Sequence, residues 1–277
     1  MFVPPNVPWS SSFNTRMSAK SHSSPHIRDT ASVPGIMWTV VLALAPAFFT
    51  FLFFSGSSGL RVSTVALATA ILTEMAIRKI LGRRITIYDG SAVITAILLV
   101  LLLPPSLPSW MIALGSFFAI VMGKEIFGGL GQNIFNPALV GFSFLVLSFP
   151  SVQSLLSMPS ENPEGIIKSV GIFVGGILLC VKRIIAWEIP LIFLAVVWIF
   201  DFKTVYSHSL LLAGFFIVTD PVTTPLTRMG NRGFALGAGV LTALFRLVMT
   251  QVEAFVSGIL WMNALTPWLD RRSHSRR

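Results

Sequence analysis

Long apolar runs alternate with short polar ones along most of the chain. Ten runs are apolar enough to be read as transmembrane helices: 36–54, 60–77, 92–103, 107–122, 134–149, 170–181, 184–200, 210–218, 234–249 and 254–269. The first approaches the ~20 residues that a helix needs to cross ~30 Å of hydrocarbon. Those at 92–103, 170–181 and 210–218 are short for a full crossing and are expected to be half-helices around a central site. Pro46 predicts a kink in the first run, Pro104-Pro105 stops the third, and Pro150 closes the fifth. Residues 1–34, rich in Ser and Pro, form neither a signal peptide nor a span and read as a mobile tail. Residues 151–169 read as a short external connector, because Met158-Pro159 and Asn162-Pro163 are turn formers. The expected organisation is a tail (1–34), a first five-helix half (35–150), the connector (151–169), a second five-helix half (170–270) and a basic tail (271–277). The fold class is thus an all-α integral membrane protein of about ten transmembrane helices. An odd number of spans in each half gives the two halves inverted orientations.

Composition agrees. Of 277 residues 54% are hydrophobic and 11% charged, with mean hydropathy +0.79, which excludes an ordinary soluble domain. The net charge of +9 follows topology rather than nucleic-acid binding, since 16 of the 20 Lys and Arg fall on the side of the termini. Arg61, Lys168 and Lys203 fall on the other side, and Arg246 lies inside the ninth run. By the positive-inside rule both termini are cytoplasmic. The single cysteine, Cys180, excludes an internal disulfide, and His22, His26, His208 and His274 are too scattered for a metal site. Trp38, Trp110 and Trp187 sit near run ends, as an interfacial belt would.

Candidate chemistry concentrates in two polar strips. In KEIFGGLGQNIFNPALVG, residues 124–141, Gly128, Gly129 and Gly131 permit unusual backbone geometry, while Gln132, Asn133 and Asn136 bring amide donors and acceptors. In TDPVTTPLTR, residues 219–228, Asp220 is joined by the hydroxyls of Thr219, Thr223, Thr224 and Thr227. A plain turn capping the ninth run would also explain the second strip. Both lie on the cytoplasmic side and are expected to face each other, with Gly131, Asn133, Asn136, Thr219, Asp220 and Thr223 as candidate binding residues. No catalytic triad or phosphate-cradling loop is present. Glu74, Glu125, Glu188 and Arg246 lie in or beside apolar runs, where each needs a partner. Glu125 beside Lys124, and Glu188 near Lys182-Arg183, are expected to be satisfied at the interface. Arg246 would pair with an acid or hold an anion.

Gly-Gly-Leu-Gly-Gln-Asn-Ile-Phe-Asn-Pro-Ala at 128–138 and Phe-Phe-Ile-Val-Thr-Asp-Pro-Val-Thr at 215–223 resemble the D-type subunit of the Rnf-type ion-translocating electron transport complex. They are also similar to the B-type subunit of the sodium-translocating NADH:quinone reductase. Ser24-Pro25-His26, Asp89-Gly90-Ser91-Ala92 and Trp187-Glu188-Ile189-Pro190-Leu191 extend the resemblance from about 24 to 270. The resemblance implies ten helices in two inverted halves, similar to urea-transporter folds. It also implies a six-subunit complex, in a bacterial inner membrane, that couples ferredoxin–NAD electron transfer to sodium or proton movement. Family members carry FMN joined to a threonine in the outer loop between the fifth and sixth spans. Here the corresponding segment, 151–169, contains no threonine, and Thr224-Pro225 and Thr266-Pro267 lie on the cytoplasmic side. The cofactor implied is FMN or riboflavin, with no covalent FMN threonine found. A stand-alone channel or transporter of small polar solutes, and a cofactor-free scaffold within the same complex, are the alternatives.

Overall fold

The computed structural model describes residues 32–156, 164–200 and 207–274, which contain helices and no strand. The tail to residue 31, the turns at 158–159 and 162–163, Lys203 and the last three residues lie outside this set.

Helix α1, Val33–Ile80, merges the first two expected runs and is broken at Gly56, whose φ of 55° and ψ of −134° are not helical. A straight 48-residue helix would be ~72 Å long. Instead the Trp38 Nε1–H donates to Tyr88 O at 3.0 Å, and Glu74 accepts from Thr86, so both ends of α1 lie together. The chain folds back at Gly56. Arg61, just past the break, donates to Ser109 Oγ at the opposite end.

The remaining helices are α2 (Ser91–Leu102), α3 (Ser109–Gly123), α4 (Pro137–Ser148), α5 (Pro150–Leu156), α6 (Glu164–Val181), α7 (Glu188–Phe200), α8 (His208–Leu212), α9 (Arg228–Phe245) and α10 (Gln251–His274). A π-helical turn, Ala213–Ile217, continues α8. The expected connector is therefore helical at both ends: α5 turns away from α4 by 109°, and α6 has already begun at Glu164. Arg246 does not sit inside a helix. It is the exposed C-cap of α9, donating to Met249 O at 3.2 Å, because the chain turns there instead of continuing to 249.

Among the described residues two helices, Val33–Ile80 and Ser109–Phe127, are long and apolar enough to cross a membrane, or three with the bent α4–α5 pair. Four apolar helices are shorter, among them α2 and α7. Close backbone approach holds neighbours together, as small residues do in membrane proteins. A Cβ on Gly141 of α4 would lie 2.5 Å from Gly115 O and 2.7 Å from the Ala119 Cβ of α3. Gly141→Ala must push a backbone atom aside, so we expect a loss of about 1–3 kcal/mol, read as a lower unfolding midpoint in detergent. Phe118 and Phe144 stack across the same helix pair at 3.6 Å.

Candidate functional site

The first strip is a loop pinned at both ends. Lys124 ends α3, a short 3-10 turn follows at Glu125–Phe127, and Asn136 begins α4 as its N-cap. The Asn136 Oδ1 accepts from the N–H groups of Ala138 (3.0 Å) and Leu139 (3.4 Å), and Pro137 holds the first helical position, where no N–H is needed. The carboxamide's remaining function is its Nδ2. It donates to Asp220 Oδ2 at 3.1 Å, across 84 residues of sequence.

The second strip begins where α8 ends. The π turn places one extra residue in the helix, a device common at functional sites, and Val218 N–H reaches back to Ala213 O at 2.8 Å. Thr219 Oγ1 donates to Phe215 O at 2.6 Å. Asp220 then accepts from Val222 N–H at 3.2 Å and from Thr223 Oγ1 at 3.3 Å. Burial pushes the Asp220 carboxyl above its ordinary pKa, against the opposing pull of the Val222, Thr223 and Asn136 hydrogen bonds. Thr223 O accepts from Thr266 of α10 at 3.0 Å, tying the strip to the last helix.

Asn133, Asn136, Thr219 and Asp220 thus line one cavity of about 70 Å³, together with Ser91 and Lys124. Thr223 joins through Asp220. Gly131 has φ 87°, faces open space and does not line the cavity. At about 10–15 Å³ of such volume per water, the cavity has room for several waters. The space is small beside the ~300 Å³ or more of sites that take drug-sized ligands.

Behind the cavity runs a buried charge network that the sequence places only in part. Lys124 and Glu125 do not pair with each other. Lys124 Nζ lies 2.7 Å from Glu74 Oε2 and 2.5 Å from Ser91 Oγ, which in turn donates to Asp89. Arg78 Nε bridges Glu74 at 3.4 Å and Glu125 at 3.0 Å, and Arg83 donates to Glu125 O. Glu74, Lys124 and Glu125 are at most 2% exposed, so each charge depends on its neighbours. One of the strip's glycines serves this network: at Gly129, φ 104°, a Cβ would stand 2.3 Å from the Arg78 guanidinium. Glu188 pairs with Arg232 at 2.7 Å rather than with Lys182 or Arg183. Asn263 interrupts an apolar run, a signal that the two strips overshadow in the sequence, and it is fully buried beside the site. With its amide oriented to its neighbours it donates to Ile259 O and accepts from Asn136 N–H at 3.2 Å.

At the opposite end lies a larger vestibule of about 770 Å³, lined by Lys168, His208, Arg246, Thr250, Gln251 and Glu253 among others. Thr250 is engaged in capping α10, its N–H and Oγ1 both donating to Glu253 Oε2.

The model of the NQR2, RnfD, RnfE family matches residues 20–166 and 151–277. The chain is 36% identical to the D-type subunit of the proton-translocating ferredoxin:NAD(+) oxidoreductase complex of Clostridium ljungdahlii, over 90% of this chain and 92% of that protein. It is 34% identical to the D-type subunit of the Na(+)-translocating ferredoxin:NAD(+) oxidoreductase complex of Acetobacterium woodii, over 92% and 93%. The D-type subunit of the ion-translocating oxidoreductase complex of Methanosarcina acetivorans is 30% identical over 90% and 93%.

Proposed function

The chain belongs to the NQR2, RnfD, RnfE family, and on that premise we propose that it is a membrane subunit of a complex coupling ferredoxin–NAD electron transfer to sodium or proton translocation. The observation that carries the site assignment is the Asn136–Asp220 hydrogen bond, which joins the two strips into one polar cavity. Asn133, Asn136, Thr219, Asp220 and Thr223 form the ion-handling end of the subunit. Asp220 is its titrating group.

Ten passes in two inverted halves remain the best topology. The chain's contacts alternate between two ends: Glu74 with Lys124, Asn136 with Asp220 and Leu226 with Asp270 at one, and Arg61 with Ser109 and Lys168 with Phe54 at the other. The halves repeat their packing, the second arm of α1 with α3 and α3 with α4 in one, α7 with α9 and α9 with α10 in the other. Arg78, Arg83, Lys124, Arg228 and Arg232 gather at the strip end, which supports placing that end and both termini in the cytoplasm. The complex has six subunits.

A flavin would supply one- and two-electron transfer. The vestibule has the volume for one, and Lys168 and Arg246 there suit a phosphate, whereas Thr250 already has its hydroxyl committed to Glu253. The tagged chain purified from its native membrane is expected to bring the other subunits with it. Acid-precipitated chain is expected to show no covalent flavin fluorescence. A chain that elutes alone and carries small polar solutes into proteoliposomes would contradict the assignment.

A further inference from the structure

Consecutive helices α6 and α7 make little or no contact with each other, which leaves a slot between them on the outside of the bundle. The slot, about 540 Å³, is lined by apolar side chains including Phe173, Leu191, Leu194 and Trp198, and Phe215 of the π turn borders it. At Cys180 and Trp187 it meets a second cavity of about 580 Å³ of mixed character, whose polar lining includes Arg183, Arg228, Thr224 and Asn231. Glu188, also there, is matched by Arg232, so Arg183 and Arg228 leave an excess of positive charge. Asn231 Oδ1 is buried without a hydrogen-bond donor. Arg183 is the one non-glycine residue with positive φ among the described residues, at 56°, a backbone state that persists where surrounding structure enforces it.

An apolar slot continuous with a basic head site that also lacks a donor has the chemistry of one ligand class. We infer that this is a binding site for an anionic phospholipid whose headgroup carries hydroxyls: an acyl chain in the α6–α7 slot, the phosphate at Arg183 and Arg228, and a headgroup hydroxyl donating to Asn231. The site rests on the chain being a membrane protein and not on its redox role. It stands back to back with the strip cavity, since Thr219 and Pro221 border both and Phe216, next to Phe215, faces the inner one. Bound lipid therefore braces the segment that carries Asp220.

Native mass spectrometry of the full chain, released from micelles carrying phosphatidylglycerol or phosphatidylcholine, tests this. Wild type is expected to retain phosphatidylglycerol preferentially. Arg183→Gly removes the charge while placing glycine in the left-handed state that glycine favours, so its lipid-free melting temperature should stay at or above wild type. Its phosphatidylglycerol retention should nevertheless drop about tenfold, the loss of one charge-assisted hydrogen bond. Leu194→Trp, which fills the tail slot and leaves the arginines, should lose the lipid too. Equal retention of the two lipids, or wild-type retention by Arg183→Gly, overturns the inference. So does stabilisation by inorganic phosphate as large as that by lipid, which would make this a soluble-anion site.

Discussion

Lys124→Met is expected to destabilise the protein by about 3–5 kcal/mol, because it strips the closest partner from a fully buried Glu74. The lower part of that range is favoured, since Arg78 remains 3.4 Å from Glu74 and compensates in part. The decisive comparison is the double variant. Removing Glu74 together with Lys124 leaves Arg78 opposite Glu125 at 3.0 Å, a balanced pair, so Glu74→Met/Lys124→Met should recover most of the loss. Unfolding midpoints of the single and double variants in the same detergent check this. A double variant as unstable as the sum of its singles would mean that the two residues are not coupled.

Asp220→Asn is expected to have the largest functional effect and a pH-dependent structural one. Burial raises the carboxyl's pKa in the folded chain. A raised folded pKa means that the group's contribution to stability is complete below its unfolded value and is lost as pH rises through the folded one. Wild-type stability should therefore decline with pH across that window, and the Asp220→Asn variant should lack this decline. Asparagine also sets an amide N–H₂ where Asn136 Nδ2, Thr223 Oγ1 and Val222 N–H all require an acceptor, so part of the bond set is lost at every pH. Melting temperature against pH for the two proteins separates the effects.

The strips are legible in the sequence because their chemistry is local. Gln132, Asn133 and Asn136 bring amide donors and acceptors to one short stretch, and Asp220 before Pro221 announces a turn, whatever else the chain does. The 3.1 Å contact between Asn136 and Asp220 joins the two strips while leaving Gly131 aside. Pairings at long sequence separation are not legible. Glu74 and Lys124 are 50 residues apart, and the adjacency of Lys124 and Glu125 misleadingly suggests a local pair. Helix ends mislead as well: the apolar Leu247 and Val248 continue the hydrophobic pattern beyond the point where α9 stops, which makes Arg246 look internal. Proline at 150 reads as a stop, yet it occupies the first position of α5, where its missing N–H does no harm.

The most direct test of the central claim uses inverted membrane vesicles containing the assembled complex, supplied with reduced ferredoxin and NAD, with sodium and proton uptake both recorded. Complex carrying Asp220→Asn, matched to wild type for the amount of assembled subunits, is predicted to lose ion uptake to the background of vesicles lacking the complex. Uptake at the wild-type rate with Asp220 replaced would contradict the assignment of the Asn136–Asp220 cavity to the ion path.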